Sequence, residues 1–330
     1  MDNEMKPPIF IIGCGRSGTS LLYHTLVSSG GIAEFRTQMN VFDVLAPIYG
    51  DFRLLKNRQV MMKKWLSSKA FRISGLDAKH IEVRILGECR SAADFQKIVF
   101  QEIARVQNVD RWADSTPNNI HHIPQIKRGI PDALFIHIIR DGRNSALSID
   151  KQGWSRPFFW ERDMSLMAAG LYWKWTILRG RQYARSLGPD YIEIFYEDLV
   201  HKPREVLAKL SVFLKHDLDY DRIQQAAIGA VKDPSTSFKE ELASGQFDPM
   251  NRWKQAMSKQ QIRLFESLVG DLLKELNYTL ATPEGELDHG FRVKRMRALY
   301  PAFYDLKQWV KRHTTLTRFF VDYDDILLDK

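Results

Sequence analysis

Short apolar runs alternate with segments of helical pattern along most of the chain. Apolar residues fill positions 9–12 and, almost without interruption, positions 133–139, and a third run covers positions 191–195. Each run leads through a turn into a segment whose apolar residues recur with helical spacing. Nearly continuous apolar strands that alternate with helices are typical of a parallel sheet covered on both faces. The pattern therefore predicts a three-layer α/β/α fold around a central parallel sheet.

Weaker signals extend this prediction to the rest of the chain. Shorter strands are expected at positions 31–34 and 111–114, which would give a sheet of about five strands. The stretch 37–107 is rich in helix formers and is predicted to be a helical elaboration of the same domain. No linker or repeat interrupts this stretch. We therefore predict a single domain over residues 1–330, with its core at 8–278 and a basic amphipathic extension at 280–330.

The first apolar run leads into a glycine-rich turn and a helix start, formed by Gly13, Cys14, Gly15, Arg16, Ser17, Gly18, Thr19 and Ser20. Such a turn points successive backbone N–H groups at one place in front of a helix N-terminus, where phosphate and sulfate esters bind. The spacing of Gly13 and Gly18 matches a phosphate loop, but Thr19 stands where an ATPase has lysine. Arg16 supplies a cation instead. We expect the loop to bind an anionic group, with an ATP-dependent small-molecule kinase as the alternative.

A second cationic anchor follows the strand at positions 133–139. Arg140 comes directly after this strand, and Ser148 lies on the helix predicted to follow. A turn followed by a helix could direct both side chains at one phosphate, which the planar guanidinium binds with two hydrogen bonds. Ligands of parallel sheets sit at the carboxyl ends of the strands. Arg16 and Arg140 at two such ends indicate a ligand with two separated anionic groups.

Composition narrows the class of ligand and the compartment. The chain has 48 basic and 40 acidic residues, a net charge of +8. This surplus favours anionic ligands but is too small to indicate nucleic-acid binding. Only two cysteines occur, and no apolar run approaches the ~20 residues that span a bilayer. Because the first residues also lack the pattern of a signal peptide, we expect a cytoplasmic protein.

The two anchor motifs resemble those of the sulfotransferases that use 3′-phosphoadenosine 5′-phosphosulfate (PAPS) and release 3′,5′-ADP (PAP). Residues 11–20 are similar to the 5′-phosphosulfate loop of this family, in the arginine-bearing form of tyrosylprotein sulfotransferases and many bacterial members. Residues 138–148 look like the 3′-phosphate motif. Residues 195–205 resemble the strand end and helix near the adenine, and residues 251–254 resemble the late basic segment that closes over the cofactor.

This resemblance implies a fold, a reaction and a set of binding residues. The fold would be related to that of P-loop nucleotide kinases, and sulfuryl transfer would require no metal ion. The cofactor would be bound by Gly15, Arg16, Ser17, Gly18, Thr19, Ser20, Arg140, Ser148, Tyr196, Arg252 and Lys254. Within this set, Arg140 and Ser148 would bind the 3′-phosphate and so distinguish PAPS from ATP.

The acceptor must lose a proton as it attacks sulfur, and the resemblance offers two kinds of base. Glu34 is similar to the glutamate of a Glu-x-Arg motif, which is the proposed base of tyrosylprotein sulfotransferases. His121 and His122 are competitors, because many cytosolic members use a histidine in the corresponding turn and helix. A carboxylate serves as base only where burial or reach favours it. The candidate catalytic residues are therefore Glu34, His121 and the cation of Arg16.

One position departs from the family pattern. Many members have a lysine where this chain has Ser115, and that lysine is thought to steady the bridging oxygen of the leaving phosphate. Since serine carries no charge, either Arg16, Arg252 or Lys254 would supply it or turnover would be slow. The departure also keeps a third possibility open, a catalytically degenerate nucleotide-binding scaffold.

The sequence restricts the acceptor and the partners only broadly. The acceptor is expected to be a hydroxyl or amine of a carbohydrate, glycolipid or secondary metabolite. The aromatic residues of 152–160 could line its pocket or pack as a surface loop. Residues 289–318 carry eight Lys and Arg against one acid, and could contact an anionic membrane or form an amphipathic helix packed on the domain. The acidic tail at 322–329 could offset their charge, and nothing in the sequence indicates an oligomeric state.

Overall fold

The centre of the molecule is a parallel sheet. The computed structural model describes residues 4–234, 236, 243–245 and 248–314. Its strands are β1 (Ile9–Gly13), β2 (Ala113–Asp114), β3 (Leu134–Ile139) and β4 (Tyr191–Phe195). They lie in the order β2-β1-β3-β4, and every neighbouring pair is parallel. The predicted α/β fold with a central parallel sheet is confirmed.

The segment at 31–34 does not form a full fifth strand. It makes an isolated parallel bridge between Ala33 and Trp112, at the outer side of β2. Because β2 itself has only two residues, it offers little backbone for a further strand to pair with. The sheet therefore has four strands within the described part of the chain, where about five were expected.

Helices fill the stretches between the strands. In chain order they are α1 (Thr19–Ser28), α2 (Ala46–Tyr49), α3 (Leu55–Leu66), α4 (Lys69–Ser74), α5 (Ala78–Glu88), α6 (Ala92–Val106), α7 (Ile123–Gly129), α8 (Gly142–Lys151), α9 (Ser165–Ala184), α10 (Tyr196–His201), α11 (Pro203–Leu214), α12 (Tyr220–Ala226), α13 (Arg252–Ala256), α14 (Lys259–Glu275) and α15 (Phe291–His313). A π-helical turn at Val41–Leu45 precedes α2, and a 3₁₀ turn at Pro117–His121 follows β2. Residues 37–107 are helical, as the sequence predicted.

Alternate residues of the strands face different cores. Phe10 and Ile12 of β1 join Phe135 of β3 in a cluster with α3, α5 and α6. Ile9 and Ile11 point to the other face, into a cluster with α1 and α11. Because successive side chains of a strand point to opposite faces, helices on both faces explain why the apolar runs are continuous.

A third apolar cluster lies beyond the carboxyl end of β3. It is formed by residues of α8, α9, α14 and α15, and it includes Cys14 from the turn after β1. The helices α9 and α15 therefore pack close to that turn.

Across the residues described, no helix is both long enough and apolar enough to cross a membrane. The acidic tail at 322–329 lies outside the described residues, as does the basic segment after residue 314.

Candidate active site

The turn after β1 has the backbone of an anion cradle. Gly18 lies at the N-terminus of α1 with φ of 99°, and Arg16 has φ of 69°, so both adopt the left-handed conformation. A Cβ atom on Gly18 would come within 2.4 Å of Tyr196 Cδ2, and one on Gly13 within 2.6 Å of the carbonyl oxygen of Ile138. Close packing thus requires glycine at both positions, and the backbone angle requires it at Gly18 as well.

The two anchors predicted from the sequence meet at this turn. Arg16 Nε donates a hydrogen bond to Ser148 Oγ at 2.9 Å, and Arg140 Nη1 donates one to the carbonyl oxygen of Arg16 at 3.1 Å. The Arg140 guanidinium also lies over the ring of Tyr196, 4.3 Å from its centroid. The fold therefore brings together four residues that the sequence assigned to one ligand.

The electrostatics of the two arginines favour an anion. Both guanidiniums donate to neutral oxygen atoms, namely Ser148 Oγ and the carbonyl oxygens of Arg16 and Pro249. Burial lowers the pKa of Arg16, and the positive charge of Arg140 lowers it further. Arg140 Nε is buried and has no hydrogen-bond partner within the described residues. A buried cationic donor without a partner is costly, so an anion bound here would satisfy it.

The late basic segment is fixed against the second anchor. Asn144 Nδ2 donates to the carbonyl oxygen of Met250 at 2.6 Å, and the Trp253 N–H group donates back to Asn144 Oδ1 at 3.3 Å. Arg252 begins α13, and Lys254 Nζ lies 5.7 Å from the centroid of the Trp253 ring. A cleft of about 490 Å³ lies beside this segment, lined among others by Asp141, Glu197, His201, Asn251, Lys254 and Tyr278.

Arg143, which belongs to the same motif as Arg140, is surrounded by acidic and aromatic side chains of the protein itself. Its guanidinium lies 2.7 Å from both Asp141 Oδ2 and Glu266 Oε1, and 3.8 Å from the centroid of the Trp253 ring. Burial alone would lower the pKa of Arg143, but its bonds to Asp141 and Glu266 raise it overall. Because its charge is neutralised inside the protein, Arg140 is left as the anion-binding arginine of this motif.

The predicted base Glu34 does not reach the edge of the sheet at which the turn lies. The bridge of the preceding residue sets Glu34 level with Ile9, whereas the turn begins at Gly13. At ~3.3 Å per residue, this register leaves Glu34 roughly 13 Å short along the sheet. Its carboxylate is instead paired with Arg36. The expected position at the loop edge is therefore wrong, while the role of Glu34 as base stays a prediction.

The second candidate base, His121, is enclosed by the protein. Only 1% of the residue is exposed, and its ring lies 4.5 Å from that of Trp175, centroid to centroid. Burial lowers the pKa of His121 to about 3, and the charge of His122 contributes to the shift. Since the ring presents little surface to an acceptor, its catalytic role also stays a prediction.

A buried polar cluster next to β1 was not identified from the sequence. Asp43 Oδ2 accepts hydrogen bonds from Asn118 Nδ2 at 3.0 Å and from Lys311 Nζ at 2.9 Å, and Asp43 Oδ1 lies 3.4 Å from His122 Nε2. Burial alone would raise the pKa of Asp43, but the hydrogen bond with His122 and the charge of Lys311 lower it well below its usual range. An acid inside the apolar run Val41–Leu45 was the signal that could have revealed this cluster.

The aromatic segment 152–160 combines both roles that the sequence left open. The guanidinium of Arg16 lies 6.0 Å from the centroid of the Trp154 ring, so this ring borders the turn. Phe158 stacks on Trp160 at 4.8 Å and packs on Tyr300 of α15 at 4.6 Å. Trp154 is thus placed to line a ligand site, whereas Phe158 fixes the segment to the C-terminal helix.

Together these features define a class: a P-loop-like α/β protein with an anion cradle and a second arginine–serine anchor. A model of the sulfotransferase family matches residues 7–221, a span that holds β1 to β4 and both anchors. The chain belongs to the sulfotransferase family and is an enzyme that transfers sulfuryl groups.

Solved structures support the same fold. The sulfotransferase domain from the curacin biosynthetic pathway is 17% identical, with a TM-score of 0.55, and the alignment covers 84% of this chain and 100% of that one. The sulfotransferase domain of the Synechococcus PCC 7002 olefin synthase is 16% identical, also with a TM-score of 0.55, over 85% and 98% of the two chains. A comparison with curated protein sequences finds no significant match.

Proposed function

We propose that this sulfotransferase uses PAPS and transfers its sulfuryl group to a hydroxyl or amine of a carbohydrate, glycolipid or secondary metabolite. The observation that carries the proposal is the contact between the two anchors, in which Arg16 joins Ser148 and Arg140 joins Arg16. A ligand that bears anionic groups at both its 5′ and 3′ positions would engage both. The buried, unpartnered Nε of Arg140 fits the 3′-phosphate of such a ligand.

The residues divide into two binding groups. The backbone N–H groups and hydroxyls of residues 15–20, with Arg16, would hold the 5′-phosphosulfate. Arg140 and Ser148 would hold the 3′-phosphate, while Tyr196 and the cleft beside Lys254 would face the nucleoside. Arg252 would close over the ligand from α13. When bound, PAPS supplies the sulfuryl group, and this chain must orient the acceptor and receive its proton.

The transfer requires a base from the protein. The acceptor oxygen forms its bond to sulfur while the S–O bond to the phosphate breaks, the electron pair stays on the phosphate oxygen, and the acceptor proton goes to the base. Glu34, His121 and His122 are the bases proposed from the sequence. Of these, His122 has a carboxylate beside it, because its Nε2 lies 3.4 Å from Asp43 Oδ1. A Glu34→Gln variant that binds PAP and still sulfates its acceptor would remove Glu34 from this set.

Two other functions are the alternatives. An ATP-dependent kinase would need a lysine where Thr19 stands. It would also leave the anchor of Arg140 and Ser148 without a ligand group, because ATP has no 3′-phosphate. A degenerate nucleotide-binding scaffold is favoured by the neutral side chain of Ser115. Both alternatives make predictions that a transfer assay separates.

The proposed function is tested by transfer of label from ³⁵S-PAPS to a panel of sugars, glycolipids and hydroxylated metabolites. The proposal predicts label in at least one acceptor with the wild-type chain and a loss of at least about 100-fold with Arg16→Ala. Phosphoryl transfer from γ-labelled ATP would support the kinase instead. Binding of PAP without transfer to any acceptor would support the scaffold.

We also propose that α15 contacts anionic membranes from its outer side. Leu306 and Trp309 are 59% and 54% exposed there, and Arg292 lies on the same helix. Exposed aromatic and basic residues on one helix favour binding at a membrane interface. Co-sedimentation with phosphatidylserine vesicles, reduced by Trp309→Ala, tests this contact, and equal binding to neutral vesicles would contradict it. The cytoplasmic location and the single-domain organisation stay predictions.

A further inference from the structure

The inward side of α15 changes from apolar to cationic along the helix. Val293, Met296 and Tyr300 are buried in the third apolar cluster. Helical steps of four, three and four residues from Tyr300 bring Lys311 to this same side. Packing alone would favour an apolar side chain at Lys311, because this position continues the face that holds the helix on the domain.

Lys311 is well covered and engages a buried acid. Its side chain is 16% exposed, its Nζ lies 2.9 Å from Asp43 Oδ2, and the Asp43 side chain is 8% exposed. Withdrawing both charges from water costs free energy that their attraction only partly offsets, so an apolar pair would be at least as stable. This pair therefore calls for a role beyond holding α15 in place.

The position of the pair links it to the reaction. Asn118, which also binds Asp43, belongs to the 3₁₀ turn that follows β2 and packs against β1. Tyr172 Oη lies 3.5 Å from Asn118 Oδ1, and Tyr172 packs against the third apolar cluster, which includes Cys14 of the turn after β1. The buried cluster thus lies beside the anion cradle, on the side of Ser115.

More positive charge surrounds the cluster. Lys307 keeps contact with solvent, but the protein around it partly desolvates its ammonium group and so lowers its pKa. The charges of Lys311 and Arg156 lower this pKa further, while the charge of Asp43 raises it. Lys311 and Lys307 therefore both interact with the carboxylate of Asp43, and Arg156 adds positive charge beside Lys307. Such a surplus of positive charge favours an anionic group in the space between them.

We propose that α15 completes the active site, with Lys311, positioned by Asp43, supplying the cation that Ser115 lacks. As the S–O bond to the phosphate breaks, the electron pair moves to the bridging oxygen, and Lys311 Nζ–H stabilises the developing charge by a hydrogen bond without transferring an atom. This inference rests on the proposed PAPS-dependent function and adds the identity of the group that stabilises the leaving phosphate.

The test compares Lys311→Met with Lys294→Met, which removes an exposed lysine near the start of the same helix. For Lys311→Met we expect the sulfation rate to fall about 100- to 1,000-fold. Binding of PAP should weaken about 3- to 10-fold and binding of PAPS at most about twofold, both measured calorimetrically without acceptor, because the oxygen that Lys311 contacts carries its full charge only after the S–O bond has broken. Lys294→Met should leave all three quantities unchanged.

Rescue separates a chemical role from a structural one. Adding Ser115→Lys to Lys311→Met returns a cation to the turn after β2. We expect the double variant to sulfate at least about tenfold faster than Lys311→Met alone. No rescue in a double variant that folds and binds PAP, or a normal rate for Lys311→Met, would overturn the inference. A wild-type chain that does not bind PAP would instead overturn the proposed function, so the two failures are distinguishable.

Discussion

Arg16 and Ser148 are 132 residues apart in the chain, yet Arg16 Nε donates a hydrogen bond to Ser148 Oγ at 2.9 Å. The contact joins the turn after β1 to the middle of α8, two elements that the neighbouring strands β1 and β3 bring side by side. Neither residue alone defines a binding site. Their contact makes one site from two motifs, and this geometry supports a ligand with two anionic groups.

The first prediction distinguishes the binding site of the 3′-phosphate from that of the 5′ anionic group. Ser148→Ala removes a hydroxyl expected to bind the 3′-phosphate, so it should weaken PAP binding by about 1–2 kcal/mol and leave 5′-AMP binding unchanged. Isothermal titration calorimetry with both nucleotides measures the difference. An equal loss for PAP and 5′-AMP would contradict the assignment of Ser148 to the 3′ position.

A second prediction concerns the structural arginine. Arg143→Met leaves the buried carboxylates of Asp141 and Glu266 without their cation, so we expect a loss of about 3–5 kcal/mol in the free energy of unfolding. Arg204→Met is the matched control, because its pair with Asp221 is largely exposed and should contribute at most about 1 kcal/mol. Urea unfolding measures both. Similar small effects from the two variants would contradict the structural role of Arg143.

The third prediction tests the shape of the anion cradle. Gly18→Ala should strongly reduce PAP binding and lower stability, because it combines φ of 99° with a Cβ atom 2.4 Å from Tyr196 Cδ2. Gly75→Ala is the control: its φ is 70°, and no atom lies within 4 Å of the added Cβ. Gly75→Ala should lower the free energy of unfolding, measured by thermal unfolding, by about 1 kcal/mol and leave PAP binding intact. Wild-type PAP binding by Gly18→Ala would contradict the cradle.

The fourth prediction is a pH dependence. Burial lowers the pKa of His121 to about 3 in the folded chain, while the unfolded chain has the ordinary value of 6.5. Between these values the unfolded state binds more protons, so acidification from pH 6.5 destabilises the fold. His121→Phe keeps an aromatic ring against Trp175. It should reduce the pH dependence of the free energy of unfolding by up to about 1.4 kcal/mol per pH unit. Urea unfolding from pH 6.5 to 4 measures it, with exposed His289→Gln as control. An unchanged slope in His121→Phe would contradict this account.

Much of the fold and of the anion site could be predicted from the sequence. The continuous apolar runs indicated a sheet covered on both faces, and the observed cores on either side of β1 confirm it. The anchors at Arg16 and Arg140 could be placed because local turn and helix signals fix where each strand ends. The carboxyl ends of parallel strands then bring such turns together without any knowledge of long-range contacts.

The remainder depended on register and on contacts between distant segments. Glu34 was expected at the loop edge, but strand pairing that starts opposite Trp112 leaves it near the level of Ile9. The approach of Lys311 to Asp43 spans 268 residues, and it depends on where α15 packs on the domain, which no local pattern encodes. Buried polar contacts of this kind are invisible to periodicity, because a lysine at an inward position looks like any other helix lysine.

The central claim is that the site binds a nucleotide through its 3′-phosphate, and one calorimetric titration tests it most directly. The wild-type chain, Arg140→Ala and the exposed control Arg128→Ala are titrated with 3′,5′-ADP in EDTA and with Mg-ATP. We predict that the wild type and Arg128→Ala bind 3′,5′-ADP without metal, that Arg140→Ala loses this binding, and that Mg-ATP binds more weakly. Tighter binding of Mg-ATP, or undiminished 3′,5′-ADP binding by Arg140→Ala, would contradict the account.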